Sequence, residues 1–468
     1  MSTLPARLAE ARRQLHGSYG FRDFRPLQRR VVQSVLAGRD TLAVLPTGGG
    51  KSICFQVPAL VLGGLTIVIS PLVALMQDQI AALKARGIPA DALNSLMPYE
   101  AQQAVRARIA DRSLRLLYLS PERAERTVQE LAAASIRPAL LAVDEAHCIS
   151  EWGHDFRPSY RHLGRFRDAL GAPPTIALTG SATPAVREDI LQSLGLRRPD
   201  LHLGSFDRPN LTFGVVPLRN RRDRVPLLLD LLARHPGLAI VYVATRNTAD
   251  ALAQRLERAG RRAMAYHAGL TRERRHEVLQ RFLAEDLDVV TATSAFGMGI
   301  DAPRVRLVAH WGMPATPEAY YQEAGRAGRD GQPSTCLLLR HRSDAGIHRR
   351  QLDVTFPPRQ TLEEIWNHPD RRRRHPAAVV ASADRLAEEL APGSKPVDWS
   401  RIDRRKRAAL GRLHVMEQYA SGHRCRRQVL LRYFGEEAGP CAGCDACSDR
   451  RPFRRIRSAI AMVRDRSG

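Results

Sequence analysis

A glycine-rich segment near the N-terminus has the residue types that hold a phosphate group. The run LAVLPTGGGKSICFQ (42–56) predicts a buried strand, a tight turn and the start of a helix. Three consecutive glycines form the predicted turn: Gly48, Gly49 and Gly50. Backbone N–H groups of such a turn converge on a phosphate, Lys51 adds a compact positive charge, and Ser52 can offer its hydroxyl to Mg²⁺. Although Leu45 replaces the first glycine of the strict pattern, the segment predicts a nucleotide site.

An acidic pair follows another predicted strand. The segment LLAVDEAH (140–147) places Asp144 and Glu145 directly behind four apolar residues. A nucleotide-hydrolysing site needs such carboxylates, one to hold Mg²⁺ and one to orient and deprotonate the attacking water. We assign the first role to Asp144 and the second to Glu145. The pair alone could mark a strand that ends in solvent, but together with the glycine turn it predicts hydrolysis of a nucleotide.

Arginines in the second half of the chain can complete that site. The segment AYYQEAGRAGRDG (319–331) spaces Gln322, Arg326 and Arg329 around glycines, and we expect it to open a helix. Arginines contributed by a second lobe reach the phosphates only when the lobes close, which would couple hydrolysis to movement. The glycine-containing loop of TATSAFGMGID (291–301) is also typical of such an interface. Solvated arginines beside a glycine turn are the alternative.

Aromatic residues follow the acidic pair closely in DEAHCISEWGHDFRPSY (144–160), although aromatics make up only 6% of the chain. Three of them stand at four-residue intervals: Trp152, Phe156 and Tyr160. This spacing could mark one buried face of a helix, but Gly153 and Pro158 interrupt any such helix. A loop with aromatics and Arg157 suits base stacking with phosphate contact. We expect the first two aromatics and Arg157 to bind nucleic acid and the third aromatic to pack inside the protein.

Cysteines near the C-terminus have the spacing of a metal site. Four of them fall within 23 residues: Cys425, Cys441, Cys444 and Cys447. Two CxxC steps and a fourth thiolate from a preceding helix can close a tetrahedral site of four sulfurs, which suits zinc. An iron–sulfur cluster is the alternative, because four thiolates also hold one. The other three cysteines (Cys54, Cys148 and Cys336) are scattered, and we expect them to be small buried hydrophobic residues.

Short apolar runs must position these residues. They alternate with helical stretches, which predicts parallel α/β sheets. Five runs belong to the first half and four to the second: LAVL, LTIVIS, RLLYLS, LLAVDE and TIALTG, then LAIVYVA, RAMAYHA, DVVTAT and RLVAHW. Turn residues in GSFDRPNLTF (204–213) interrupt the pattern, so we place the join between two lobes there.

Beyond about residue 345 the strand pattern ends, and an Arg-rich, helical module built around the metal is expected. DRRRRHPAA (370–378) could contact phosphate, but a solvated charge run is the preferred interpretation. The breaker-rich APGSKP (391–396) precedes the cysteine-bearing region.

Length and charge limit the classes of protein. A chain of 468 residues suggests two or three domains. The net charge of +24 indicates a polyanionic partner, of which nucleic acid is the commonest. A GC-rich genome could explain 68 arginines against four lysines, but not their excess over 48 acidic residues. No run of 18 apolar residues occurs and the N-terminus lacks a secretory core, so a soluble intracellular protein with thiols rather than disulfides is expected.

With these motifs the chain resembles the RecQ family of DNA helicases, which are superfamily 2 motors of two RecA-like lobes. The resemblance covers about residues 17–345 and resumes at about 403–447. Besides PTGGGKS and DEAH, five segments carry it: YGFRDFRPLQ (19–28), SPLVALMQDQ (70–79), YLSPER (118–123), ALTGSATP (177–184) and VYVATRN (241–247).

Roles for further residues are implied by this resemblance. The first segment reads adenine in the family, which implies base contacts from Arg25 and Gln28, although Leu27 replaces the usual glycine. The other segments contact DNA or couple the lobes, which implies DNA contacts from Ser70 and Gln77. The loop after DEAH resembles the family's aromatic-rich loop, which senses single-stranded DNA beside the ATPase site.

The resemblance also implies zinc at the four cysteines, because HRCRRQVLLRYFGE with CAGCDAC is similar to the family's zinc subdomain. Helicases with an iron–sulfur cluster carry its cysteines within the first lobe, whereas here they follow the second. The implied domains are a first lobe (1–205), a second lobe (206–345) and a small helical zinc-binding subdomain (346–468) whose residues 346–402 match nothing in the usual pattern. With 21 residues after Cys447, we expect this chain to lack the family's winged-helix module and its further helical DNA-binding domain.

The implied function is that of an ATP-dependent DNA helicase that moves 3′ to 5′ on single-stranded DNA and unwinds duplex DNA in repair or recombination. ATP, Mg²⁺ and Zn²⁺ are the expected cofactors, forked DNA the partner, a monomer the expected state, and the bacterial cytoplasm and nucleoid the location. Two alternatives stay open, namely an RNA helicase of the DExH type and a zinc-stabilised DNA-binding or remodelling ATPase that moves without opening strands.

Overall fold

The computed structural model describes residues 3–46, 48–94, 97–153, 155–297, 302–390, 397–441 and 443–447. The chain divides into two compact units, Met1–Phe206 and Asp207–Gly468. Thr47, His154, the end of TATSAFGMGID and the whole of APGSKP lie outside the described residues. Within the described ranges, no helix is both long enough and apolar enough to cross a membrane.

The first unit is a parallel sheet of seven strands with helices between them. Its strands follow the order β3-β4-β2-β5-β6-β1-β7. Their bounds are β1 Thr41–Val44, β2 Thr66–Ile69, β3 Ala90–Leu93, β4 Leu116–Leu119, β5 Leu140–Val143, β6 Thr175–Thr179 and β7 Asp200–Leu203. The helices are α1 Leu4–Tyr19, α2 Pro26–Leu36, α3 Ile53–Leu62, α4 Val73–Lys84, α5 Tyr99–Ala110, α6 Ala124–Ala133, α7 Leu163–Ala169 and α8 Pro184–Leu194.

This strand order positions the nucleotide motifs. Strands β1 and β5 both pair with β6, so they lie about 10 Å apart, two strand spacings. Because the strands are parallel, the glycine turn after β1 and the acidic pair after β5 leave the same edge of the sheet. The carboxyl edge of a parallel sheet is where ligands bind in open α/β folds.

The second unit contains a parallel sheet of six strands in the order β10-β11-β9-β12-β13-β8. The strands are β8 Leu211–Leu218, β9 Leu238–Tyr242, β10 Ala263–Tyr266, β11 Val289–Ala292, β12 Val305–His310 and β13 Ser334–His341. The helices between them are α9 Arg224–Arg234, α10 Arg246–Arg258, α11 Arg272–Leu283 and α12 Pro317–Ala324. Both lobes are therefore RecA-like parallel sheets, as the sequence predicts.

All nine predicted strands are present, but four further strands (β3, β7, β8 and β13) were not predicted. Strands β3 and β7 are the two edges of the first sheet and contain polar residues, ADAL and DLHL. An edge strand needs fewer apolar residues than a central one, so it gives a weaker pattern. Strand β8 begins inside the segment that we took for the join.

After β13 the chain is helical: α13 Asp344–Thr355, α14 Arg359–Asn367, α15 Ala377–Leu390, α16 Trp399–Ser421 and α17 Arg426–Tyr433. The part of residues 346–402 that the structure describes forms a small hydrophobic core of its own, which includes Phe356, Leu362, Ile365 and Leu386. The N-terminal half of α16 adds Ile402 and Ala409 to this core. Its C-terminal half adds other residues to the core of the second sheet: Leu413, Met416 and Tyr419. A single 23-residue helix therefore joins two cores.

The basic run in this region is largely solvated. Of its four arginines, Arg372 pairs with Asp384 at 2.6 Å, and Arg371 lies 3.8 Å from Glu364. The other two arginines of the run are exposed. This agrees with the preferred interpretation of a solvated charge run.

Candidate functional site

The glycine turn after β1 is held by residues at the start of α2. The Arg25 guanidinium donates from Nη1 to the Gly48 carbonyl at 2.5 Å. The Gln28 amide donates from Nε2 to the carbonyls of Gly49 and Gly50 at 3.0 and 3.2 Å. Gly50 has φ +71°, and a Cβ there would collide with the Gln28 amide. The two residues that were assigned to adenine thus also shape the phosphate-binding turn.

Lysine and acid meet at the carboxyl edge of the first sheet. Lys51 Nζ donates to Glu145 Oε1 at 3.0 Å. Ser52 directly precedes α3, and Asp144 directly follows β5. Asp144 and Glu145 are both buried, with 4% and 8% of their surface exposed. The structure therefore brings together the residues that the sequence assigns to phosphate binding and water activation.

The two carboxyl groups differ in acidity. Burial and the neighbouring Glu145 carboxylate raise the pKa of Asp144 to about 6. Burial also acts to raise the pKa of Glu145, but the Lys51 ammonium and His147 outweigh it and hold that pKa well below its usual range. Glu145 is therefore the more acidic member of the pair and loses its proton at a lower pH than Asp144.

Glu145 also has an unusual backbone, with φ 47° and ψ 47°. This left-handed conformation costs an L-residue about 1–2 kcal/mol. The Glu145 N–H donates to Asp144 Oδ1 at 3.0 Å, a local contact that helps to hold it. Such strain is found at functional sites, where the surrounding structure imposes it.

The acidic segment is tied to two neighbouring segments. His147 Nδ1 lies 3.0 Å from Thr179 Oγ1, which links it to ALTGSATP. Tyr160 is fully buried, and its hydroxyl donates to the Asp144 carbonyl at 3.2 Å. Tyr160 thus packs inside the protein, as expected, and anchors the far end of the aromatic loop to the acidic pair.

The loop between these anchors presents its aromatic side chains outward. Trp152 is 41% exposed, and Phe156 and Arg157 are partly exposed. Arg157 donates from its backbone N–H to the Cys148 carbonyl at 2.9 Å and from Nη1 to the Pro71 carbonyl at 2.6 Å. The loop is therefore fastened to the acidic segment and to the start of SPLVALMQDQ.

The two residues expected to contact DNA in SPLVALMQDQ lie in different environments. Gln77 is exposed on α4. Ser70 is completely buried behind β2, where its N–H donates to the Leu119 carbonyl at 3.1 Å. The buried position of Ser70 therefore gives no support to its predicted DNA contact.

The arginine segment of the second unit follows a helix instead of opening one. Gln322 lies within α12, which ends at Ala324, and both arginines stand in the turn beyond it. Arg326 is 7% exposed. The helix ends with Gly325 as its C-cap. Gly328, in the turn that follows, has φ +55° and lies too close to the Asn210 amide and the Gln332 carbonyl for any side chain. The expectation of a helix opening was therefore wrong, since the glycines end a helix here.

A residue that sequence reasoning missed holds this turn. Arg208 donates to the carbonyls of Gly325, Ala327 and Gly328 at 3.2, 3.0 and 2.9 Å. Asn210 Nδ2 also donates to the Gly328 carbonyl, at 2.8 Å. Both belong to GSFDRPNLTF, the segment in which we predicted only the join between the lobes. The polar residues of this segment were the signal from which its contacts with another part of the chain could have been expected.

The cysteine region supports the same turn. Arg427 donates from Nη1 to the Arg208 carbonyl at 2.9 Å and from Nη2 to the Leu211 carbonyl at 2.7 Å, and it also pairs with Asp207. Tyr433 donates to Glu318 of α12 at 2.5 Å. Helix α17, next to the cysteines, is thus bonded both to α12 and to the segment that holds the arginine turn.

The four cysteines form a compact cluster whose sulfur atoms all lie within 4.8 Å of one another. Cys444 Sγ is 3.8 Å from Cys425 Sγ, and a tetrahedron with Zn–S bonds of about 2.3 Å requires a separation of about 3.8 Å. Cys425 immediately precedes α17, while Cys444 pairs with Phe213 at the edge strand β8. The donor set therefore fits zinc. The other three cysteines are buried, and burial raises the pKa of Cys54 and Cys336 to about 12.

Three family models match the chain. "DEAD/DEAH box helicase" matches residues 25–190, "Helicase conserved C-terminal domain" matches residues 223–331, and "RecQ zinc-binding" matches residues 385–448. The last match assigns the four cysteines to zinc rather than to an iron–sulfur cluster.

Whole-chain comparisons agree. The chain is 37% identical to "ATP-dependent DNA helicase RecQ" of Pasteurella multocida, over 93% of this chain and 62% of the relative. It is 36% identical to "Probable ATP-dependent DNA helicase RecS" of Bacillus subtilis, over 94% and 91%, and 37% identical to the RecQ helicase of that organism, over 95% and 68%. The chain thus spans less than two thirds of the Pasteurella protein.

Solved structures share the fold at low identity. The crystal structure of the DUF1998 helicase MrfA bound to DNA has a TM-score of 0.61 at 19% identity, over 74% of this chain and 52% of that chain. The Mycobacterium smegmatis helicase Lhr bound to single-stranded DNA and AMP-PNP has a TM-score of 0.57 at 21% identity, over 90% and 58%.

Proposed function

The chain belongs to the RecQ family of ATP-dependent DNA helicases, and on that premise we propose that it hydrolyses ATP in response to single-stranded DNA. The energy of hydrolysis drives it 3′ to 5′ along that strand and separates duplex DNA. The observation that carries this proposal is the contact between Lys51 and Glu145 beside the glycine turn.

In the proposed reaction the ammonium of Lys51 binds the terminal phosphates. When Lys51 moves from Glu145 to the phosphates, the positive charge that lowers the Glu145 pKa is removed. The Glu145 carboxylate therefore becomes a stronger base when nucleotide is bound. Glu145 then orients and deprotonates the attacking water. Nucleotide binding therefore makes Glu145, the residue that activates the attacking water, a stronger base.

The Ser52 hydroxyl and the Asp144 carboxylate would hold Mg²⁺, which supplies charge stabilisation to the phosphate oxygens. Arg25 and Gln28 would contact adenine from the same α2 start that shapes the turn. Gln322, Arg326 and Arg329 would act on the phosphates from the second lobe.

We further propose the lobe limits 1–205 and 206–345, with 346–468 as the zinc-binding subdomain. The partners would be single-stranded and forked DNA, reached by a monomer in the bacterial cytoplasm and nucleoid, in repair or recombination. Trp152, Phe156, Arg157 and Gln77 would contact the strand.

The test combines an ATPase assay with unwinding of forked duplexes that carry a 3′ or a 5′ overhang. Single-stranded DNA should stimulate hydrolysis more than RNA of equal length, and only the 3′-tailed substrate should be unwound. Equal stimulation by RNA would favour a DExH-type RNA helicase. DNA-stimulated hydrolysis without separated strands would favour a remodelling ATPase.

Lys51→Ala should lower DNA-stimulated ATP hydrolysis by about 100-fold or more, the usual size of a lost charge contact to the transition state. Lys84→Ala is the matched control and should retain activity, because Lys84, the last residue of α4, pairs with Asp91 of β3 and carries no proposed role. DNA-stimulated hydrolysis at the wild-type rate by Lys51→Ala would refute the site assignment.

A further inference from the structure

A concentrated basic surface lies in the second unit, outside the residues assigned above. Strands β8 and β13 pair in parallel up to Leu218 and His341, so the residues that follow them leave the sheet side by side. Contacts fix these turns together, because Arg221 donates to Ser343 Oγ at 2.6 Å and His341 Nε2 lies 3.1 Å from the Arg219 carbonyl. Four arginines define what we call the β8–β13 arginine surface: Arg219, Arg222, Arg340 and Arg342.

Two cavities adjoin this surface. One, of about 360 Å³, is lined by Arg340, Arg342 and by His414 of α16. The other, of about 620 Å³, is lined by Arg222 and by Thr245 of VYVATRN. Both cavities include the same methionine, Met313, and therefore adjoin. Arg222 thus lies by a segment that resembles a DNA-contact motif, and Arg340 and Arg342 lie by α16.

The acidic residues that line these cavities are already paired. Glu417 accepts from Arg349 at 2.6 Å, Asp344 is buried against Arg224 at 2.8 Å, and Glu323 lies 3.0 Å from His310. Within the part of the chain that the structure describes, no ion pair joins a carboxylate to any of the four arginines that define the surface. Their positive charge therefore faces solvent.

The surface has charge but, among the described residues, no exposed aromatic on which a base could stack. Trp311 lines the larger cavity, but it is partly buried and the Arg224 guanidinium lies over its ring at 5.7 Å. The large aromatic side chains that are exposed among the described residues are Phe21, Tyr99 and Trp152, and all three belong to the first unit. Proteins that bind single strands combine charge with aromatics on which bases stack. A surface with charge alone suits the sugar-phosphate backbone, and a duplex presents one charge per about 1.7 Å, twice the density of a single strand.

We propose that the β8–β13 arginine surface binds the phosphate backbone of duplex DNA, which gives the motor a duplex contact separate from its single-strand contacts. The inference rests on the proposed DNA-helicase function. Because the proposed contacts are to phosphates and not to bases, the binding is independent of the DNA sequence and sensitive to salt.

The test is a triple variant of the full chain, Arg219→Ala with Arg222→Ala and Arg342→Ala, since these three side chains are exposed. Binding to a blunt duplex and to a single strand is followed by fluorescence anisotropy at several salt concentrations without ATP. Each lost phosphate contact lowers the salt slope by about 0.9. We expect a slope smaller by about 2 to 3 and duplex binding at least 10-fold weaker, with single-strand-stimulated ATPase within about 2-fold of wild type.

Two further variants show whether a loss of binding is due to the charge of this surface. One distinguishes the loss of this charge from misfolding, and the other distinguishes it from a lower net charge of the whole protein. The corresponding triple lysine variant should restore most of the duplex affinity. A control with three other exposed arginines replaced, Arg126→Ala with Arg258→Ala and Arg272→Ala, removes the same charge and should leave the duplex slope unchanged.

An unchanged duplex slope in the surface variant, or an equal loss in the control variant, overturns the inference. A loss that lysine does not restore also overturns it, because the effect would then be structural. The proposed function has a different test, because duplex binding is measured without nucleotide. That function fails if the wild-type protein shows no DNA-stimulated ATPase activity.

Discussion

Trp152 is an exposed aromatic residue of the loop that follows the acidic pair, and Tyr160 at the far end of that loop bonds to the Asp144 carbonyl. Replacing it with Ala should spare ATP hydrolysis in the absence of DNA and lower its stimulation by single-stranded DNA about 10-fold, because a stacked base is worth about 1–3 kcal/mol. ATPase rates measured across a range of single-strand concentrations test this.

Tyr99→Ala is the matched control for Trp152, since Tyr99 is 71% exposed on α5 and carries no proposed role. It should leave stimulation unchanged. If Trp152→Ala is stimulated as strongly as wild type, the loop does not report DNA to the site and its aromatics are structural.

At the scale of single residues, a role could be predicted where the reaction itself requires a particular residue type at a particular spacing. Lys51 and Glu145 are of this kind, and they do meet. Ser70 was less predictable, because the motif fixes its type but not whether the side chain turns towards solvent. The left-handed backbone of Glu145 was not predictable either, since it is imposed by the surrounding fold.

At the scale of elements, the turn after α12 depends on Arg208, which bonds three of its carbonyls. Arg208→Ala should lower the kcat for ATP about 10-fold or more while leaving KM within about 2-fold. The reason is that a misplaced arginine affects the transition state, and displacement of 1 Å can cost about 100-fold. Arg208→Lys should recover little, because a compact ammonium cannot replace the planar donor set.

Steady-state kinetics at saturating single-stranded DNA, with thermal melting and zinc content, would separate positioning from unfolding. Arg258→Ala on the exposed side of α10 is the control and should behave as wild type. A higher KM at constant kcat would mean that Arg208 affects nucleotide binding rather than the arginine turn.

Elements were predictable where a buried strand is also an unbroken apolar run, whereas the buried strand β3 contains Asp91 and was not predicted. Central strands such as β2 and β5 are buried along their whole length, so their apolar runs stand out. The edge strand β7 has alternating polar residues and was missed. The contacts of Arg208 and Arg427 join residues more than 100 positions apart along the chain, and no local pattern records such a partner.

At the scale of the whole molecule, zinc removal should act well beyond the cysteines. Cys425 and Cys444 attach α17 and the edge strand β8 to one centre, and losing metal releases both. We expect one zinc and no iron per chain by metal analysis. Cys441→Ser or a strong chelator should lower the melting temperature and the kcat of DNA-stimulated hydrolysis.

Restoring zinc to the chelated protein should recover both quantities if the metal acts by holding the fold. A protein that stays fully active and equally stable without zinc would show that the network between the cysteines and the arginine turn is not needed. Iron with a visible charge-transfer band would contradict the assignment of the metal.

Helices α13 and α16 lie against each other, with Lys406 3.5 Å from Asp353 and Arg349 2.6 Å from Glu417. The chain therefore leaves this helix pair at the end of α13 and returns to it at the start of α16. Doubling the length of such an excursion costs only about 0.6 kcal/mol of loop-closure free energy. A reporter domain inserted into this part of the chain, outside the core of Phe356, Leu362, Ile365 and Leu386 that packs on α16, should therefore leave both lobes folded.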